Sequence, residues 1–158
     1  MSPDDAGSDD PVAAARDHLL ASHADTIAEV LAAADAVAAD WRQLDDQRPA
    51  TPESDALVRS FRAELDDRGV LETLPSVLAA AVDAAGYTLP ATPVPAPPYV
   101  VVTSTGPVLR GTVDDGRLLV GIDCFEVVRE PPGSSASVAY ALTESSPAAS
   151  LSVSFESA

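Results

Sequence analysis

The chain has 158 residues, and its 25 acidic residues against nine arginines and no lysine give a formal net charge of −16 at pH 7. This length suffices for one compact domain with a hydrophobic core, and no apolar run approaches the roughly 18 residues of a membrane span. The absence of lysine excludes chemistry that needs that side chain, such as the phosphate contact of a P-loop. The single cysteine, Cys124, excludes an internal disulfide.

The charge and the apolar composition together indicate adaptation to concentrated salt. The apolar residues are mainly small, with 29 alanines and 18 valines against two isoleucines and three phenylalanines, and small side chains bury less area each. The excess acids would repel one another in dilute buffer, whereas the Debye length of about 3 Å at 1 M salt screens them. We therefore interpret the charge as a solvated surface, not as a mimic of nucleic acid or a site for a basic partner.

The first part of the chain predicts a long helix after a short tail. Residues 1–10 are predicted to form a disordered acidic tail. Asp10 suits the cap of a helix and Pro11 its first position. An apolar seam at spacings of three and four continues this helix to about residue 41. The seam consists of Leu20, Ala24, Ile27, Leu31, Ala34, Ala38 and Trp41.

Two further helices complete a predicted helical part, residues 11–89. The second opens at Thr51-Pro52-Glu53, where a hydroxyl cap precedes a proline and an early acid. Gly69 is the predicted left-handed stop of this helix. The third helix is predicted from about Pro75 to Ala85.

A proline-rich connector, residues 90–98, leads into a predicted sheet over residues 99–156, because the apolar period there changes to two. Asp114-Asp115-Gly116 predicts a hairpin turn, and Gly106-Pro107 predicts another. Helices followed by strands predict an α+β fold, with about three helices on one face of a four- to five-stranded antiparallel meander. Both parts are expected to form one globular domain. Strands are predicted over 99–105, 108–113, 117–129, 138–143 and 150–156.

The candidate nucleophile is Cys124, in phase with the apolar residues of the long predicted strand 117–129. A reactive thiolate needs a base or a positive environment, and the only histidines, His18 and His23, belong to the first helix. A buried, inert cysteine is therefore the favoured interpretation. The two histidines would lie about 140° apart around one helix, which is wrong for shared metal ligation. No catalytic residue, cofactor or metal site is predicted.

Three functional hypotheses remain. The first is a non-catalytic accessory or protein-interaction module that binds another protein or a second copy of itself. The second is an enzyme with a site on the sheet face near Arg110, Asp123 and Cys124. The third is an acidic winged-helix regulator, in which Arg110 and Arg117 flank the hairpin. Its recognition segment, residues 75–83, has no basic or amide side chain to reach base edges, so nucleic-acid binding is not expected.

The acidic, lysine-free composition and the junction APPYVVV (residues 96–102) resemble small uncharacterised haloarchaeal proteins. This resemblance implies a cytosol of molar salt, and it carries no activity and no site residues. The first ten residues lack the basic and apolar regions of a signal peptide, which also predicts a cytoplasmic location. No membrane association is predicted.

Overall fold

The fold is described from a computed structural model for residues 10–39, 41–43, 49–129, 138–143 and 146–157. It is an α+β fold, with five helices and two antiparallel sheets in this part of the chain. The helices are α1 (Pro11–Ser22), α2 (Ala24–Ala38), α3 (Ser54–Asp67), α4 (Val70–Ala84) and α5 (Pro147–Ser150). The strands are β1 (Arg42–Gln43), β2 (Pro49–Thr51), β3 (Val100–Thr103), β4 (Gly106–Val113), β5 (Gly116–Ile122), β6 (Phe125–Arg129), β7 (Val138–Leu142) and β8 (Leu151–Ser157).

The strands are divided between two sheets. The main sheet has the order β3-β4-β5-β8, and the small sheet has the order β1-β2-β7-β6, in which β1 contributes only two residues. The predicted antiparallel pairing is confirmed, and β4 and β5 form the predicted hairpin around Asp114 and Asp115. The prediction of one meander of four or five strands is wrong, because β5 and β6 belong to different sheets.

The predicted long strand 117–129 is interrupted at Asp123 and Cys124. The amides of Cys124 and Phe125 both donate to the carbonyl of Thr105, at 2.8 and 3.1 Å. The chain therefore leaves the main sheet where β5 meets the turn between β3 and β4, and it continues as β6 beside β7. That turn lies at residues 104–105, two residues before the predicted one, and β4 already begins at Gly106.

The single first helix predicted to residue 41 is two helices that meet at His23, where φ is −128° and ψ is 18°. An unbroken helix of about 30 residues would be about 45 Å long, longer than the roughly 40 Å diameter of a domain of this size. The break lets α1 pack against α4 and β8 while α2 packs against α3. The predicted cap is confirmed, since the Asp10 carboxylate accepts hydrogen bonds from the amides of Val12 and Ala13.

The next two helices differ from prediction mainly at their starts. α3 begins directly after the predicted opening Thr51-Pro52-Glu53, and Gly69 with φ of 75° follows it as the predicted left-handed residue. α4 begins at Val70 and not at Pro75, so the proline lies inside the helix. Pro75 forfeits one helix hydrogen bond, and α4 still forms because it buries a long apolar face. This face includes Leu71, Leu74, Val77, Leu78, Ala81 and Val82.

One hydrophobic core lies between the helices and one face of the main sheet, which we call the inner face. α1 contacts β8, α3 contacts β3, and α4 contacts β4 and β5. The core extends to the small sheet through Phe125, whose ring lies 5.3 Å from that of Phe61 and 5.2 Å from that of Trp41. The inner face is formed by alternating strand residues, among them Val100, Val102, Leu109, Leu118, Val120 and Ile122.

The connector does not run straight into the sheet. The amide of Ala96 donates to the carbonyl of Val94, and the amide of Tyr99 donates to the carbonyl of Ala96. These bonds form a turn within the proline-rich connector. Apart from Asp10, the predicted acidic tail lies outside the described residues. No helix in the described ranges is long and apolar enough to cross a membrane.

Candidate interaction surface

Cys124 is fully buried at the break between β5 and β6. Its thiol donates to the carbonyl of Ile122, with the sulfur 3.5 Å from the oxygen. Burial, with smaller contributions from the charges of Asp123 and Asp35, raises the pKa of the Cys124 thiol far above its ordinary value. The thiol is therefore protonated at neutral pH, and the protonated form is a poor nucleophile.

The structure does not bring Arg110, Asp123 and Cys124 together. Arg110 is exposed on the side of β4 opposite the core, and its cross-strand neighbour on β5 is Leu119. Asp123 lies four residues beyond Leu119, a distance of about 13 Å along the strand direction, and it is exposed. Cys124 belongs to the core. These three residues therefore do not form one cluster.

The break between α1 and α2 brings the two histidines close to each other. The ring centroids of His18 and His23 are 5.8 Å apart, in an edge-to-face arrangement. The predicted separation of about 140° around one continuous helix therefore does not describe their geometry. Partial burial and the charge of His18 lower the pKa of His23. Among the residues that the structure describes, no three His, Cys, Asp or Glu side chains are arranged to hold a metal ion.

The helix that corresponds to the winged-helix recognition segment is α4. Its apolar face packs against β4 and β5. Binding to the DNA backbone needs cations that neutralise phosphates, and α4 presents none to the solvent. Its exposed residues are Glu72, Thr73, Ser76 and Asp83.

Two exposed arginines of α3, Arg59 and Arg62, line a groove of about 570 Å³ between α3, α4 and the connector. The acids Asp66 and Glu72 line the same groove. The mixture of both charges leaves no concentrated positive field that would select an anionic ligand.

The face of the main sheet that points away from the helices is its outer face. Its residues alternate with the buried ones of the inner face. Val101 of β3 lies beside Val108 of β4, and Val108 lies beside Gly121 of β5. Arg110, Leu119 and Ser154 form the next row across three strands. The outer face consists of Val101, Thr103, Val108, Arg110, Thr112, Arg117, Leu119, Gly121, Ser152, Ser154 and Glu156.

The outer face has an apolar centre and a polar margin. Val101, Val108 and Leu119 are half-buried, although their side chains point away from the core. The margin contains hydroxyl groups and an ion pair at 3.4 Å between Arg117 and Glu156. Such a distribution is typical of the central part and the rim of a protein interface.

β8 forms one edge of the main sheet. The amide of Asp123 donates to the carbonyl of Ser150, and backbone groups of successive strand residues point to opposite sides. The even-numbered residues 150–156 therefore direct their amides and carbonyls toward β5. The odd-numbered residues 151–157 direct theirs toward the other edge, which pairs with no strand in the described part of the chain.

Only the beginning of this edge is occupied. The guanidinium group of Arg16 on α1 donates to the carbonyl of Leu151, and the amide of Leu151 donates to the carbonyl of Pro147. The outward-directed amides and carbonyls from Val153 to the last residue of β8 have no partner among the described residues. The molecule therefore presents three open backbone positions beside its outer face.

Comparison with known proteins gives a family and no activity. No curated protein matches the chain, and no solved structure matches it. Residues 13–156, from α1 into β8, match a family described as a domain of unknown function, DUF7988. The chain therefore belongs to the DUF7988 family.

Proposed function

We propose that this chain is a non-catalytic accessory module that binds another protein through the outer face of its main sheet. The observation that carries the proposal is that the helices contact the inner face, while the outer face retains an apolar centre of Val101, Val108 and Leu119. A sheet that needed only to fold would expose mainly polar residues on its solvent side. The polar margin around this centre fits the rim of a transient interface.

The chemistry of the partner follows from the arrangement of the surface. The apolar centre crosses three neighbouring strands, since Val101 pairs with Val108 and Leu119 pairs with Arg110 of the same strand β4. This surface is a face of a sheet and not a deep pocket, so it suits a macromolecule better than a small ligand. Arg110, for which the described residues provide no ion pair, adds one positive charge that an acidic side chain of the partner can neutralise.

We also propose that the protein is salt-adapted and works in the cytosol. The 25 acids, the absence of lysine and the resemblance to haloarchaeal proteins support this proposal. The helical side of the core agrees with it, because many of its fully buried side chains are small. Fully or almost fully buried alanines are Ala15, Ala33, Ala34, Ala38 and Ala81.

The test is capture of a partner from cells lysed at their native salt concentration, with Leu119→Glu as the disrupting variant. Leu119→Glu places a charge at the apolar centre, and the expected result is loss of the partner that the unaltered chain captures. Val94→Glu is the matched control, because Val94 is an exposed apolar residue on the connector, 48% exposed and away from the outer face.

Both variants must unfold at the same temperature as the unaltered chain for the comparison to count. Capture of no partner at native salt would contradict the proposal. Equal loss of capture in the two variants would contradict the assignment to the outer face.

A further inference from the structure

We infer that the chain forms a homodimer in which β8 pairs antiparallel with β8 of a second copy, so that the two main sheets become one continuous sheet. This contact uses the edge of the sheet and not its outer face. It therefore goes beyond the proposed function, and it holds or fails independently of any other partner.

The backbone of β8 is open along the edge of the main sheet. Val153 and Phe155 direct two amides and two carbonyls toward an edge that no described strand covers. Natural proteins protect such edges with prolines, charges, bulges or covering elements. β8 has seven residues with no proline and one charged residue, Glu156. Only its first residue, Leu151, is covered at this edge, by Arg16.

The sequence of β8 is complementary to itself in an antiparallel pair. A twofold axis through Ser154 places Val153 opposite Phe155 of the second copy, and Phe155 opposite Val153 of the second copy. The four amide and carbonyl groups of Val153 and Phe155 then gain partners. Glu156 lies opposite Ser152 of the second copy in this register, so no acid faces another acid along the strand pair, although each chain has a net charge of −16.

The side chains of the same two residues are apolar and only partly covered. Val153 and Phe155 point to the inner face but remain half-buried. The ring of Phe155 stacks on that of Tyr87, with centroids 5.0 Å apart and planes 10° from parallel. This stacked pair ends at the edge of the sheet, where a second copy would bring its own Val153 and Phe155 against it. Backbone pairing and apolar burial therefore favour the same contact.

The net charge makes the dimer dependent on salt. Two chains of this charge repel each other in dilute buffer, and the Debye length of about 3 Å at 1 M salt removes most of this repulsion. The experiments therefore use about 3 M KCl, where screening is close to complete.

Oxidative cross-linking of single-cysteine variants tests the register. Ser154→Cys lies on the proposed axis, where two facing Cα atoms are about 4.5 Å apart, within the range for a disulfide. Ser152→Cys is the matched control, since both serines are exposed on the same face of β8, but the two copies of residue 152 would be at least about 13 Å apart. The native Cys124 is buried and does not interfere.

We expect Ser154→Cys to give at least about tenfold more disulfide-linked dimer than Ser152→Cys, because only one of the two pairs meets the geometric requirement. Equal yields would overturn the proposed register and, with it, the inference.

Sedimentation of a second pair of variants tests the dimer without any cross-link. Val153→Pro removes an amide that points to the open edge, so no hydrogen bond to β5 is lost. Val153→Ala removes part of the same side chain but keeps the amide. We expect the mass of a dimer for the unaltered chain and for Val153→Ala, and the mass of a monomer for Val153→Pro.

A monomeric unaltered chain in about 3 M KCl, or a dimeric Val153→Pro, would overturn the inference. Neither result affects the capture experiment with Leu119→Glu, which can be repeated with Val153→Pro. Failure of the dimer and failure of the proposed function are therefore distinguishable.

Discussion

Burial decides the chemistry of Cys124. The alternation of apolar residues along the predicted strand favoured a buried cysteine without deciding its burial, and the structure shows that it is buried. The pattern could not show that the chain turns away at this point, so the enzyme hypothesis placed Arg110 and Asp123 in one site with the thiol. The structure instead separates an exposed arginine from a protonated, buried thiol.

We expect Cys124 to react with thiol reagents much more slowly in the folded chain than in the unfolded chain at pH 8. Burial raises the pKa of the folded thiol, whereas the unfolded thiol titrates near its ordinary value of about 8.5. The stability that depends on the protonated thiol is therefore full below about pH 8.5, and it decreases as the pH rises above that value.

Labelling rates in native buffer and in denaturant measure the first expectation, and unfolding free energies at pH 7 and pH 10 measure the second. Cys124→Ala is the control, because it removes the part of the pH dependence that belongs to the thiol. Rapid labelling of the native chain would contradict the assignment and would favour the enzyme hypothesis.

At the scale of elements, the two largest failures of prediction are breaks within a continuous apolar pattern. The seam of the first helix runs through His23 without a change of period, and the strand pattern runs through Asp123 and Cys124 in the same way. Turns with special residues were predictable, because Asp114-Asp115 and Gly69 have local conformational reasons to lie where they do. A break that is caused by packing against residues distant in the sequence has no such local signal.

We expect Gly106→Ala to destabilise the junction of β4, β5 and β6 strongly. Gly106 has φ of 146°, and a Cβ there would lie 1.9 Å from the carbonyl oxygen of Ile122, a backbone atom held by strand pairing. Strain and overlap together should lower the free energy of unfolding by about 3 kcal/mol or more.

Gly121→Ala is the matched control in the same sheet, because the nearest atom to its Cβ would be the Ser152 hydroxyl oxygen at 3.9 Å. Its effect should remain within about 1 kcal/mol. Denaturant unfolding at constant high salt measures both values, and equal destabilisation would contradict the proposed path of the chain past Gly106.

At the scale of the whole molecule, the acidic surface and the small-residue core both lower the stability of the fold in dilute buffer. Sixteen excess negative charges oppose compaction in dilute buffer, and alanines bury little apolar area each. The described ion pairs offset little of this repulsion. Arg68 pairs with Glu29 and Glu64 at the surface, and ion pairs that are exposed to solvent contribute little to stability.

We expect dialysis from about 3 M KCl into dilute buffer to lower the unfolding temperature markedly, because surface repulsion is then no longer screened. Calorimetry or circular dichroism measures the shift. Dilute buffer with sucrose is the control, since sucrose favours compaction without screening charge and should restore only part of the loss. An unfolding temperature that does not change with salt would contradict salt adaptation.

The sequence by itself determined the α+β class, the antiparallel hairpin at Asp114-Asp115 and the helix boundary at Gly69, because each depends on local period or local conformation. Tertiary structure alone decided the division into two sheets, the break at His23, and which strands form the edges of the main sheet. These depend on contacts between distant residues, such as those of Thr105 with Cys124 and of Arg16 with Leu151. The sequence pattern shows which side chains of a strand share a face, but it does not show which strand lies beside that strand. The open edge of β8 was therefore apparent only from the folded chain.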